Sequence, residues 1–200
     1  MKKILLLLPI LCAFFTLNAQ WSTNPNMNNT FYTGNIGACE TQAATDAATG
    51  NTYINWFILE AGGMHPKLQM VNVFGETQWQ ENGIYVSTHP SQTALFGTAL
   101  TVSTDGCAVL MFCDERNGSY VPYAYKISPT GEFVWGADGI QITTADALRC
   151  YLYPCNDGSV WAAWTDGSIC CARHISSDGQ TLGPIVTVSD PNAQICFGHI

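Results

Sequence analysis

The amino-acid sequence predicts an all-β protein built from consecutive four-stranded antiparallel units. The composition favours strands, because aromatic residues make up 12% of the chain and Thr and Val are frequent, while helix-forming residues do not dominate. Beyond the N-terminal leader, no segment sustains the 3.6-residue periodicity of an amphipathic helix, so almost no helix is expected. The third observation is an internal repeat.

The clearest repeat matches residues 75–84 to residues 131–140, an offset of 56 residues. The two segments read G-E-T-Q-W-Q-E-N-G-I and G-E-F-V-W-G-A-D-G-I, with Gly, Glu, Trp, Gly and Ile in register. A diverged third copy begins at Gly179 and runs through Gly183 to Val188, and it has lost the Trp. Self-similarity at this spacing predicts repeated supersecondary units.

Each copy belongs to a set of four short segments that read as strands joined by Asp- and Gly-containing turns. In the first unit, the chain is also expected to turn at Gly62-Gly63 and Pro66. The predicted strands are 34–41, 53–59, 68–73 and 84–86 in the first unit, 95–101, 107–113, 121–127 and 140–143 in the second, and 148–153, 160–164, 169–175 and 185–188 in the third.

Four-stranded repeats of this length are typical of β-propeller blades. The predicted units are about 34–88, 95–144 and 147–190, and residues 194–200 are interpreted as the first strand of a fourth. About three blades plus one strand form an incomplete ring, because propellers typically have at least four blades. The chain is therefore interpreted as truncated, and its open sheet edges are expected to pair with another copy or another chain.

The N-terminus has the layout of a secretory signal peptide. Lys2 and Lys3 precede an apolar stretch, and Ala19 stands before a predicted cleavage at Gln20. The stretch is shorter than the roughly 20 apolar residues that span a bilayer, so no membrane span is expected. We expect an exported protein, extracellular or at the cell surface, with the periplasm as the alternative. The predicted organisation is a signal peptide at 1–19, a polar segment at 20–33 and the repeat domain at 34–200.

The chain is acidic, with 15 Asp and Glu residues against 7 Lys and Arg. Such a charge repels phosphate groups, which argues against nucleic acid as a partner. Eight of the nine cysteines lie beyond the leader, and an even number in an exported chain predicts disulfides or buried free thiols, with a metal site as the alternative. Cys107 and Cys113 would lie about 20 Å apart on one strand, so they cannot bridge each other.

Three features carry a resemblance to a known group of proteins. They are Asp105-Gly106 before a strand, residues 114–118 in the first hairpin, and the stretch from Gly131 through Trp135 to Ile140. With a leader ending in Asn-Ala-Gln, this pattern resembles exported β-propeller-like repeat proteins of the Bacteroidota. The resemblance implies a secreted protein of the kind that carries a sorting domain, although no such domain is recognised in this sequence.

Trp79 and Trp135 are candidate ligand-binding residues, because aromatic rings stack on sugars; the alternative is packing between adjacent sheets. Arg116 is a third candidate. Sialidases, which share the propeller fold, use three arginines to bind a carboxylate, and this chain also has three, with Arg149 and Arg173. The alternative for Arg116 is a solvated charge in a turn.

Asp114 and Asp166 are candidate calcium ligands, because they lie in predicted turns where oxygen atoms cluster. The alternative is that Asp favours turns for local reasons. No other cofactor is expected, since the sequence has neither a Gly-rich phosphate loop nor a G-x-S-x-G nucleophile elbow.

These features favour an exported β-repeat binding or scaffolding module at the cell surface, for glycan or protein ligands, rather than an enzyme. The first alternative is a fragment of a carbohydrate-active enzyme of sialidase-like or lyase-like type, which predicts Arg and carboxylate groups converging at one end of the sheets. The second is a structural spacer of a larger adhesin-like protein, which predicts no defined ligand pocket.

Overall fold

The computed structural model of the chain describes Asn24, Asn26 and residues 29–91, 97–167 and 169–188. These residues form twelve strands and no helix, which confirms the all-β prediction. Accordingly, this part of the chain has no helix that could cross a membrane. Outside the described residues lie the predicted signal peptide at 1–19, its cleavage between Ala19 and Gln20, and the predicted strand at 194–200.

The strands form three four-stranded antiparallel sheets, and within each sheet the spatial order of the strands follows their order in the chain. The described residues show no closed ring. We call the sheets units 1, 2 and 3. Unit 1 contains β1 (Ala38–Thr45), β2 (Thr52–Glu60), β3 (Gly63–Val71) and β4 (Ile84–Tyr85); unit 2 contains β5 (Ala99–Val102), β6 (Ala108–Asp114), β7 (Val121–Ile127) and β8 (Ile140–Gln141); unit 3 contains β9 (Leu148–Pro154), β10 (Val160–Asp166), β11 (Ile169–Ile175) and β12 (Thr181–Val188).

Unit 2 is buried on both faces because units 1 and 3 pack against it. All seven residues of β6 are buried, and its successive side chains point to opposite faces. Phe112 meets Phe57 of unit 1 with ring centroids 6.1 Å apart, whereas Met111 shares a hydrophobic cluster with Trp164 of unit 3. The first strands of the three sheets, β1, β5 and β9, lie side by side. We call them the innermost strands, and the last strands β4, β8 and β12 the outer strands.

A tryptophan in each of the first two units hydrogen-bonds to the unit that follows. Trp79 Nε1 donates to the carbonyl oxygen of Pro129 at 2.9 Å, and Trp135 Nε1 donates to that of Ser177 at 3.0 Å. Pro129 and Ser177 occupy matching places in the turns that follow β7 and β11. A Cβ atom at Gly179 would lie 2.8 Å from Trp135 Cδ1, so the indole occupies the space that a side chain would take there.

A half-buried ion pair within unit 2 supports the same boundary between units 2 and 3. The side chain of Lys126 is fully buried, and its Nζ lies 2.6 Å from Asp105 Oδ2. Nζ also donates to the carbonyl oxygen of Ser177 at 3.0 Å. Partial burial alone would raise the pKa of Asp105, but hydrogen bonds from Lys126 and Ser103 lower it to about 2.

Acidification is expected to remove the stabilisation that Asp105 provides. Because the pKa of this carboxyl falls from its usual 3.8 to about 2 on folding, its contribution is complete above pH 3.8 and is lost as the pH falls through about 2. Since 47% of the Asp105 side chain is exposed, solvent weakens the effect. Urea unfolding midpoints of the wild type and Asp105→Asn should converge between pH 4 and pH 2. A constant difference across that range would contradict this assignment.

The residues before β1 cover the outer face of unit 1. Phe31 and Tyr32 pack against the cluster that contains Trp56, and the Tyr32 and Trp56 ring centroids are 5.8 Å apart. The backbone N–H of Thr33 donates to Asn82 Oδ1 at 2.7 Å. The described part of the predicted polar segment therefore completes the hydrophobic core of the first sheet.

The predicted turn at Pro66 is wrong, because Pro66 lies inside β3 and pairs with Phe57 of β2. The nitrogen and carbonyl of one strand residue point to the same side, and the Pro66 carbonyl accepts from the backbone N–H of Val86 at 2.9 Å. The proline nitrogen thus faces the outer strand β4, which is only two residues long, so few ladder bonds are lost there.

The disulfide prediction is also wrong for the seven described cysteines, all of which are free. The Sγ atoms of Cys113 and Cys150 are 3.7 Å apart, which is a contact and not a disulfide bond. Both are buried between units 2 and 3, where thiols pack as small apolar groups.

Candidate functional site

The innermost strands of the three units line a cleft of about 420 Å³. Because β1, β5 and β9 are the first strands of their sheets and lie side by side, matching residues from all three units meet there. The volume falls in the range of small-molecule sites. Polar or aromatic side chains that line the cleft are Glu40, Gln42, Thr98, Arg149, Tyr151 and Tyr153.

Three residues of the cleft share an unusual backbone conformation. Glu40, Gly97 and Arg149 stand near the start of the three innermost strands, with φ angles of 54°, 66° and 55°. This left-handed conformation is accessible to glycine but costs other L-residues about 1–2 kcal/mol. Unit 2 meets the requirement with glycine, whereas units 1 and 3 place charged side chains there. Strained residues of this kind concentrate at functional sites.

The strain coincides with irregularities in the strand ladders. The pairing of β1 with β2 shifts register between Cys39 and Gln42, around Glu40. The pairing of β10 with β9 shifts between Trp164 and Thr165, at the level of Arg149. Such bulges change the direction of a side chain, and they recur next to binding sites.

The cleft combines opposite charges. Glu40 is half-buried, and its Oε2 would lie 3.9 Å from a Cβ atom at Gly97, so the carboxylate reaches the adjacent strand of unit 2. Arg149 enters from unit 3 and is exposed. One anion and one cation therefore line a single concave surface together with two phenol groups.

The thiol at the cleft wall is not activated. Its hydrogen bond with Cys113 and its burial raise the pKa of Cys150 well above the usual value. The side chain therefore stays a neutral thiol at physiological pH, and a thiol is a poor nucleophile. Thr98, on the opposite wall, is buried and accepts a hydrogen bond from Asn55 Nδ2 at 3.1 Å, which fixes the start of β5.

The predicted ligand-binding tryptophans lie between units and outside the cleft. Trp135 is only 8% exposed, and Trp79 is half-buried. Their contacts with the next unit are those of the packing alternative. A role for either ring in ligand binding stays a prediction.

Arg116 is held inside unit 2. Its guanidinium donates from Nε and Nη2 to the Asp114 carboxylate, at distances between 2.6 and 3.0 Å. It lies 3.6 Å above the ring of Tyr123, and Nη1 donates to the carbonyl oxygen of Asp138. Its side chain is 11% exposed. Ligand binding by Arg116 is not tested by these contacts, but a ligand would have to compete with Asp114.

The two candidate calcium ligands lie on different elements. Asp114 is fully buried against Arg116, and Asp166 ends β10 opposite Ile169. Across the described ranges, no group of three or more His, Cys, Asp or Glu side chains is placed to hold a metal ion. Calcium binding stays a prediction that these contacts do not support.

The three arginines do not gather in one place, because their partners differ. Arg173 Nη1 donates to the carbonyl oxygen of Ile142 at 2.7 Å, Arg116 bonds to Asp114, and Arg149 lines the cleft. Sequence reasoning noted Arg149 only as one of three arginines, and it missed Glu40. The one signal in the sequence is the glycine that unit 2 has at the matching position.

A Ser–His contact in unit 3 does not form a catalytic triad. Ser159 Oγ lies 2.7 Å from His174 Nε2, but it also bonds to Asp157, so the serine stands between the other two groups. A triad needs the histidine in the middle. Ser159 is also buried.

No family model matches the chain. The curated proteins searched contain no match either. The case for a function therefore comes from the geometry of the cleft.

Proposed function

We propose that this chain is an exported β-repeat binding module, built from propeller-type blades, whose ligand is a cell-surface glycan held in the cleft between the innermost strands. The carrying observation is that Glu40 and Arg149 keep charged side chains at a left-handed backbone position where unit 2 has Gly97. A charged residue kept at a strained position on a concave surface supports a role in ligand binding.

The propeller-type arrangement is supported by three properties of the sheets. Each has its strands in chain order, neighbouring sheets pack face to face, and the first strands lie together. In that architecture the innermost strands line an axial channel. The glycan is favoured over a protein ligand because the site is a concave cleft with phenol and charged groups, whereas protein interfaces need roughly 800 Å² on each partner.

Binding is favoured over hydrolysis because Glu40 is the one carboxylate among the described residues lining the cleft. Glycoside hydrolysis generally uses a pair of carboxylates. The sialidase-like or lyase-like enzyme remains the second candidate, since an arginine and a carboxylate both line the cleft. Turnover of a glycan by the purified chain would establish that candidate and refute the binding module.

Replacing the two strained residues by glycine is expected to separate stability from binding. Glu40→Gly and Arg149→Gly should each raise the free energy of unfolding by about 0.5–1 kcal/mol, because relief of backbone strain exceeds the added entropy of the unfolded chain. Each should weaken glycan binding at least tenfold. Glycan-array binding followed by calorimetric titration, with urea unfolding in parallel, measures both quantities.

Gly118→Ala is the control outside the cleft. Gly118 has a φ angle of 78° and open space around an added Cβ atom, so alanine introduces left-handed strain there, which should lower the free energy of unfolding by about 1 kcal/mol and leave binding unchanged. A glycan that binds equally well to the wild type and to both glycine variants would show that the site lies elsewhere. The absence of any glycan or protein ligand would favour the structural spacer.

A further inference from the structure

The outer strand of unit 3 differs from those of units 1 and 2. Strands β4 and β8 have two residues each, whereas β12 has eight. Pro66 of β3 and Pro122 of β7 stand at matching positions, and each presents its carbonyl, but no N–H group, to the outer segment. Unit 3 has Cys170 at this position, and it pairs with Val188. Without the proline, the outer strand continues.

Strand β12 is exposed along its whole length. All eight residues are exposed, four of them are large aliphatic side chains, and none is charged. One edge of β12 pairs with β11, and the opposite edge has no partner strand among the described residues. Proteins normally keep such edges short, or protect them with charges, prolines or bulges.

Features that disfavour pairing with another strand are present only in the first part of β12. Gly183 has a φ angle of 70°, Pro184 lacks an N–H group, and the pairing with β11 shifts register here, between Ala172 and His174. Residues 186–188, Val-Thr-Val, pair with β11 in regular register and have no such device. Alternate residues of this stretch point their N–H and C=O groups away from β11, toward an edge that has no partner strand in the described part of the chain, and such an edge is a template for another strand.

We propose that residues 186–188 pair with the same residues of a second copy of this chain, antiparallel across a two-fold axis. A two-fold axis brings identical edges together, so one sequence serves as both partners. The uncharged edge avoids like-charge contacts, which matters for a chain with a net charge of −8. The pairing joins two four-stranded sheets into one continuous sheet.

Charge at the edge is expected to abolish the pairing. Sedimentation velocity of the full chain, at concentrations up to about 100 µM, should show a monomer–dimer equilibrium. Val186→Lys and Val188→Lys should each weaken it at least tenfold, because a lysine at the edge disfavours strand addition. The matched control is Val134→Lys in unit 2: Val134 is 46% exposed and Val186 is 48% exposed, so only the position differs. The control should dimerise like the wild type.

Hydrogen exchange identifies what covers the edge. Those amides of residues 186–188 that face away from β11 should gain protection as the concentration rises, and the gain should disappear in Val186→Lys. A wild type that stays monomeric overturns the proposal, and so does a dimer that persists in both lysine variants. Protection of these amides in the monomer also overturns it, because another part of the same chain would then cover the edge.

Discussion

Trp135→Ala is expected to lower the free energy of unfolding by about 3–5 kcal/mol, the cost of removing a large buried aromatic side chain. The indole packs against Gly179 and donates to Ser177, so its loss leaves a cavity at the boundary between units 2 and 3 and removes a hydrogen bond. Urea or thermal unfolding of the purified variant measures the change. The effect should appear as earlier unfolding of unit 3 in hydrogen exchange.

Two variants separate packing from hydrogen bonding at this boundary. Trp135→Phe keeps most of the apolar surface but removes the Nε1 donor, so it should cost less than the alanine variant. Trp79→Ala removes the matching contact between units 1 and 2, and because Trp79 is only half-buried the loss should be smaller. If Trp135→Ala unfolds like the wild type, the indole does not hold the units together.

Asp114→Ala is expected to destabilise the protein by about 3–5 kcal/mol, because it leaves the guanidinium of Arg116 poorly solvated and without its carboxylate. Burial alone would lower the pKa of Arg116, yet its hydrogen bonds with Asp114 and Tyr125 raise it. Because a guanidinium is not deprotonated in proteins, the arginine remains charged after Asp114 is removed. Denaturant unfolding of Asp114→Ala measures the loss.

The double variant Asp114→Ala/Arg116→Met is the control for this pair. Removing both charges should recover most of the stability lost in Asp114→Ala, because the cost arises from the unpaired charge more than from the missing bond. A double variant as unstable as the single one would show that Asp114 acts through its other surroundings. Retained glycan binding in the refolded double variant would exclude Arg116 as a ligand-binding residue.

Local signals in the sequence were sufficient for most strands. Predicted strands 121–127 and 169–175 have the observed bounds, because Gly-containing turns flank both segments and such turns are specified by neighbouring residues. The last outer strand, expected at 185–188, instead spans Thr181–Val188. Its length depends on whether β11 contains a proline, and that effect crosses from one strand to the next.

The cleft was harder to foresee because no sequence motif reports a backbone angle. Glu40 and Arg149 look like ordinary surface charges in the sequence, and only their shared φ with Gly97 sets them apart. For Trp79 and Trp135, the repeat indicated a shared role, and both contact the next unit. Equivalence between copies does not distinguish a packing residue from a ligand-binding residue. Arg116 looked free in the sequence because its pairing with Asp114 depends on how the turn folds back.

Because of the indole contacts, one sequence repeat does not correspond to one self-contained structural unit. Trp79 belongs to unit 1 by sequence, but its binding partner, Pro129, belongs to unit 2. A gene duplication that copies one four-stranded sheet therefore adds a tryptophan whose acceptor turn must come from the next sheet. A copied unit therefore forms this contact only where the unit that follows offers the acceptor turn, and unit 3, with Gly183 at the position of the tryptophan, has no donor of this kind.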